Sequence, residues 1–190
     1  MFLDIAIGIY VAAFLGRMLG FGPDAWFFIG GILMTVLPDS DFLYYFLKRK
    51  KDRDRIDDCS HRDYIHYPLI YLPLGTFIFY LFGGNEWALL FFFCSFLHFI
   101  HDSIGIGWGI KWLYPFSTNN FGFFYLYSRK GNRSPKRILF SINKEQMGHY
   151  VREYGDKDWF KNIYLKLHPI AVVEYTVFVS SIIFLLFYIL

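Results

Sequence analysis

Cysteine is almost missing from this chain: Cys59 and Cys94 are all that 190 residues contain, and they form no CxxC pair. That scarcity argues against a disulfide framework and a thiolate-built structural zinc knot. Net charge is also small, at +3, and Lys and Arg are confined almost wholly to residues 48–62 and 111–166. In the first stretch the bases alternate with Asp52, Asp54, Asp57 and Asp58, the pattern of a solvated loop, so no nucleic-acid partner is expected. The second contains Arg129-Lys130-Gly131-Asn132-Arg133-Ser134-Pro135-Lys136-Arg137, which fits a cytoplasmic loop or a contact with anionic lipid head groups. No internal repeat is visible.

Apolar residues, by contrast, are in excess: 55% of the chain is hydrophobic and 23% aromatic, more than a soluble domain of this size can hide. The expected partner is a lipid bilayer. Apolar segments run over residues 2–19, 25–37, 67–82, 87–104 and 170–190. Since a full crossing takes about 17 to 25 residues, the second is short and the third marginal. The expected fold is an all-α polytopic membrane bundle of four to five apolar helices, with a small peripheral cytoplasmic helical segment. Residues 1–115 form the bundle, 116–168 the peripheral segment and 169–190 a C-terminal transmembrane helix. Within the peripheral segment, Ser141-Ile142-Asn143-Lys144-Glu145-Gln146 reads as a helix start, and Met147, Tyr150, Val151 and Tyr154 recur at helical spacing before Gly155.

The breaks Gly20-Phe21-Gly22-Pro23-Asp24 and Gly83-Gly84-Asn85-Glu86 carry turn chemistry and no Lys or Arg. They make hairpins of segments one and two and of segments three and four. Both basic stretches then lie on one side, which the positive-inside rule makes cytoplasmic. The N-terminus is expected inside, in a multi-pass protein of the cell (inner) membrane.

Ionisable residues inside such apolar segments mark function. His98, His101 and Asp102 close the fourth segment at helical spacings of three and four, on one face and within reach of a common ion. Pro38-Asp39-Ser40-Asp41 interrupts the second, where proline breaks the helix and two carboxylates can turn toward an ion or cap the next helix. Ser60-His61-Arg62-Asp63-Tyr64-Ile65-His66 precedes the third; Ser60 with Asp63 resembles a helix start, and a spacing of five is poor for two ligands on one straight helix. On the predicted topology all of these meet at the cytoplasmic face. Asp39, Asp41, His61, His66, His98 and Asp102 are the candidate ligands, with Asp4 and His101 in reserve. Imidazole with carboxylate suits zinc, and also manganese or iron, as one ion or two.

In the order Leu37-Pro38-Asp39-Ser40-Asp41, His61-Arg62 with His66, His98 with Asp102, and Trp112-Leu113-Tyr114-Pro115-Phe116, the chain resembles the YdjM-like membrane-bound metal-dependent hydrolases, the LexA-regulated type of bacteria and archaea. That group is similar in turn to zinc-dependent phospholipases C. The likeness runs from about Leu37 to Phe116. It departs at Ile65-His66-Tyr67, where the family commonly shows Thr-His-Ser, and at Asp4, where the family often has His. The resemblance implies that the six residues bind metal or support it, and the expected activity is hydrolysis of an ester, a phosphodiester of a lipid head group foremost, by metal-activated water. Asp39, His66 and Asp102 are the candidate catalytic residues. Arg62 and Lys111 are the candidate phosphate partners, Arg62 through a bidentate grip. Two other readings use the same cluster: an ion or metal transporter with a proton relay, and a membrane scaffold with a structural metal clamp.

Overall fold

A computed structural model describes residues 2–40, 65–127, 136–156 and 158–189 of the chain. Helices α1 (Phe2–Leu19) and α2 (Ala25–Val36) are joined by the short break that contains Pro23. Asp24 caps α2, its carboxylate accepting the Phe27 N–H at 2.9 Å. The two helices run antiparallel and very close. A β-carbon on Gly8 would lie 2.6 Å from the Gly31 carbonyl carbon and oxygen, so glycine on both sides lets the backbones touch. Past Val36 the helix tightens into a 3-10 turn, Leu37–Asp39, around Pro38.

Helix α3 (Pro68–Asp102) holds the third and fourth apolar segments in one assignment broken at Gly84, whose φ of 78° and ψ of −167° are accessible essentially only to glycine. A straight helix of that length would span about 52 Å, well beyond a hydrocarbon core of about 30 Å. Instead it folds back. Phe79 stacks on Phe91 at 4.9 Å, Tyr71 meets Phe99 at 5.5 Å, and His66, just before the helix, meets Asp102 near its end. Residues equidistant from Gly84 are therefore neighbours, and the halves are antiparallel. Gly84→Ala should cost about 1–3 kcal/mol through the strained dihedrals alone. Thermal unfolding in detergent checks it; an unchanged midpoint would mean that the bend does not depend on this backbone conformation.

The last helix, α5 (Pro169–Ile189), runs parallel to α1, with Phe2 against Tyr175 at 4.9 Å and Tyr10 against Phe184 at 5.5 Å. Ile9, Leu15, Phe27, Phe28, Leu90 and Phe91 form the buried core between α1, α2 and the second half of α3. Phe2–Leu19, Pro68–Asp102 and Pro169–Tyr188 are long and apolar enough to cross a membrane; Ala25–Asp39 is apolar but shorter.

The expectation of a purely helical segment from 116 to 168 needs correction. Strands β1 (Ile104–Gly105), β2 (Asn120–Leu126) and β3 (Lys136–Ile142) form a sheet in that order, with β1 and β2 parallel and β2 and β3 antiparallel. Aromatic and β-branched residues favour strands, and on β3 buried Phe140 and Ile142 alternate with exposed Leu139 and Ser141. The Phe140 ring covers Gly122 of the facing strand, where a β-carbon would collide with it. Helix α4 (Lys144–Tyr154) follows as expected, opened by a reciprocal capping box between Asn143 and Gln146. Met147, Tyr150 and Tyr154 pack with Trp108 against Phe140 and Ile142.

The sheet is fastened to the end of α3. Phe123 N–H donates to the Ser103 carbonyl at 2.6 Å, and the Trp112 indole N–H donates to Ser103 Oγ at 2.8 Å. Gly105, Gly107 and Gly109, all at positive φ, carry the chain between these anchor points.

Candidate metal centre

Helix direction decides which residues meet. The start of α1, the end of α2, both ends of α3 and the start of α5 lie together, because α1 and α2 are antiparallel, α3 is doubled back, and α5 follows α1. Asp39 arrives from the tightened turn that ends α2. His66 precedes Tyr67, the N-cap of α3, with Pro68 at the first helical position, where its missing N–H is harmless. His66 therefore stands in the entry to the helix and not on it. His98 and Asp102 are one turn apart on the last two turns of α3.

These four residues each bring one ligand atom into a group whose members all lie within 4.8 Å of one another. His66 Nε2 is 3.0 Å from Asp102 Oδ2 and 3.7 Å from Asp39 Oδ1; His98 Nε2 is 3.6 Å from Asp102 Oδ2 and 3.7 Å from Asp39 Oδ1. Nitrogen and oxygen ligands 2.0–2.2 Å from a tetrahedral ion are separated by about 3.3–3.6 Å. The four separations, 3.0 to 3.7 Å, bracket that range, and two imidazoles with two carboxylates are a donor set that could hold a divalent ion. The side chains of His66 and His98 are 0% exposed and that of Asp39 is 34% exposed, so the cluster is closed behind and open beside Asp39.

A second layer holds the first. His98 Nδ1 lies 3.2 Å from Asp4 Oδ1. Donation to this buried carboxylate puts the proton on Nδ1 and leaves the Nε2 lone pair facing the cluster, the usual arrangement behind a metal-bound imidazole. His98 Nε2 itself is buried and makes no hydrogen bond among the described residues. His101 turns the other way: its Nδ1 is 2.9 Å from the same Asp4 oxygen, and its Nε2 is 3.6 Å from Glu174 Oε1. With a carboxylate facing each ring nitrogen, His101 is placed as a bridge between Asp4 and Glu174. Tyr164 donates its hydroxyl to Glu174 Oε1 at 2.9 Å, and burial followed by the Glu174 charge pushes the Tyr164 phenol above its ordinary range.

Of the residues singled out from sequence, Asp39, His66, His98 and Asp102 come together, and Asp4 and His101 stand directly behind His98. Lys111 lies over the Tyr67 ring at 5.8 Å, and Tyr67 stacks on Tyr114 at 4.3 Å, which places the lysine beside the residue that follows His66. Asp41, His61 and Arg62, like Cys59, lie outside the described residues; Cys94 is a buried free thiol in the core. Sequence reasoning missed Glu174. Its signal was available, since it is the one charged residue of the final apolar segment.

The model of a family described as YdjM inner membrane protein matches residues 3–188. No curated protein and no solved structure matches the chain.

Proposed function

Because the chain belongs to the YdjM inner membrane protein family and carries this cluster, we propose that it is an integral membrane metal-dependent hydrolase acting on an ester, most simply a phosphodiester of a lipid head group. The observation that carries the reading is the convergence of two imidazole nitrogens and two carboxylate oxygens at one end of the bundle. Asp39, His66, His98 and Asp102 hold the ion, zinc being the first choice and manganese or iron the alternatives. Bound there, a divalent ion supplies Lewis acidity and a source of hydroxide near neutral pH. Asp4 keeps the His98 ring in its ligating tautomer. His66 is held between the aromatic edge of Phe99 and the carboxylate of Asp102. Asp39, on the open side, faces both histidines with Oδ1, which leaves its other carboxylate oxygen for an incoming water as proton acceptor.

Lys111, over the Tyr67 ring next to His66, is the proposed partner of an anionic head group, and Arg62, outside the described residues, is proposed from the sequence for the same role. In sequence the first basic stretch falls between Asp39 and His66 of the cluster and the second begins nine residues after Asp102, so by the positive-inside rule this reading assigns the site to the cytoplasmic face. Residues 1–115 supply the membrane bundle, with the halves of α3 as separate crossings; 116–168 form the peripheral piece and 169–190 the last crossing. The deep burial of His66, His98 and Asp102 favours a second reading, a structural metal clamp joining the two hairpins.

Zinc- or manganese-loaded protein, in mixed vesicles of phosphatidylglycerol and phosphatidylethanolamine, should release water-soluble phosphorus and stop when a chelator strips the metal. Stoichiometric metal without release of any head group would remove the hydrolase and leave the clamp.

A further inference from the structure

Glu174 is 2% exposed and sits on the second turn of α5, a helix otherwise free of charge. Burying a carboxylate there is costly, so its partners must compensate. Two of them are the Tyr164 hydroxyl at 2.9 Å and His101 Nε2 at 3.6 Å. Tyr164 alone would tie α5 to the preceding turn. The contact with His101 does something further, because the opposite nitrogen of that ring holds Asp4 Oδ1, and this same oxygen holds His98 Nδ1. A line of polar contacts therefore runs from α5 through the last turn of α3 to the start of α1, then back to the nitrogen behind the ligating face of His98.

Asp4 Oδ1 is shared between two imidazoles at 2.9 and 3.2 Å, so its position depends on both. If His101 loses its hold on Glu174, its ring is free to turn about χ2, and the oxygen that fixes the His98 tautomer shifts with it. We propose that Glu174 is a positioning residue of the metal centre: by anchoring His101 it sets the Asp4 carboxylate against His98 Nδ1 and keeps the ligating nitrogen aimed at the cluster. This rests on the metal reading above and extends it to a helix that contributes no ligand.

The test uses full-length protein in detergent, with Glu174→Gln, Glu174→Asp and Asp4→Asn beside Ser181→Ala, a change at another buried polar position of α5. Zinc affinity is measured by chelator competition, and the ligand field by the visible absorption of the cobalt-substituted protein. Glu174→Gln and Asp4→Asn should each weaken zinc by about 10- to 100-fold, the range for partners of metal-bound histidines. Both should shift the cobalt bands in the same direction, Glu174→Asp should recover part of the loss, and Ser181→Ala should change neither readout. Wild-type affinity and spectrum in folded Glu174→Gln, with Asp4→Asn impaired, would overturn the role of Glu174 and leave the metal centre standing. A wild-type protein that takes up neither zinc nor cobalt would overturn the metal reading itself. Should Glu174→Gln fail to fold, Glu174→Asp carries the same comparison, because it keeps the charge and withdraws it by one methylene.

Discussion

Replacing His98 and Asp102 together by alanine should lower zinc affinity by more than about 100-fold, beyond the 10- to 100-fold effect of outer partners. The two residues supply half of the donor set, one nitrogen and one oxygen from successive turns of α3. Asp39 and His66 remain, 3.7 Å apart and on different elements, and two such donors cannot enclose an ion against competition from water. Asp4 loses one imidazole but keeps the other, so the buried carboxylate is still partnered by His101 at 2.9 Å. The double variant therefore has a physical reason to fold. Metal content by plasma mass spectrometry on purified protein decides the matter. One equivalent of a transition metal in the wild type, lost in the variant, is the expected result; full retention would put the ligands elsewhere in the chain.

Gly8→Val should disturb the molecule from a different direction. The added β-carbon would meet the Gly31 carbonyl and the Ile32 nitrogen at 2.6 Å, and these are backbone atoms that cannot rotate away. The hairpin must open, at the cost of an overpacked core, about 1–3 kcal/mol. Gly8 is one turn from Asp4, and Gly31 is two turns from Asp39. Separating the helices thus pulls the support of His98 away from one of the proposed ligands. A lower unfolding midpoint accompanied by weaker metal binding is expected, with Gly22→Ala as control because a β-carbon there meets nothing within 4 Å. Wild-type values for both quantities in Gly8→Val would mean that the seam is loose and does not set the site.

What the chain discloses in advance follows the range over which each signal acts. The capping box at Asn143 and Gln146 and the break at Gly83-Gly84 are local chemistry, and they are legible residue by residue. So are His98 and Asp102, whose spacing alone puts them on one helix face. His101 shares that spacing but not that destination. Its neighbours are Asp4, 97 residues away in sequence, and Glu174 on a third helix, and no periodicity within one segment carries that information. Ser60 and Asp63, which resemble a helix start in the sequence, lie outside the described residues, and the described helix begins at Pro68. The sheet has a weak signature because β2, Asn120-Phe121-Gly122-Phe123-Phe124-Tyr125-Leu126, is aromatic on both faces and β3 opens on two bases, so neither shows clean apolar and polar alternation along its length. Its pairing with Ser103 is tertiary and has no sequence signature.

The division of donors between the two hairpins has a consequence for how the protein is made. The first hairpin carries Asp39 and the second supplies His66, His98 and Asp102. A ribosome delivers them to the membrane in that order, and neither insertion unit contains a complete set. On the metal reading proposed above, ion capture is a late event in biogenesis, possible only once both units have been released side by side into the lipid. Until then, an acidic first hairpin and an imidazole-bearing second one have each other as their natural counterpart, which gives the bundle a reason to assemble before any ion arrives.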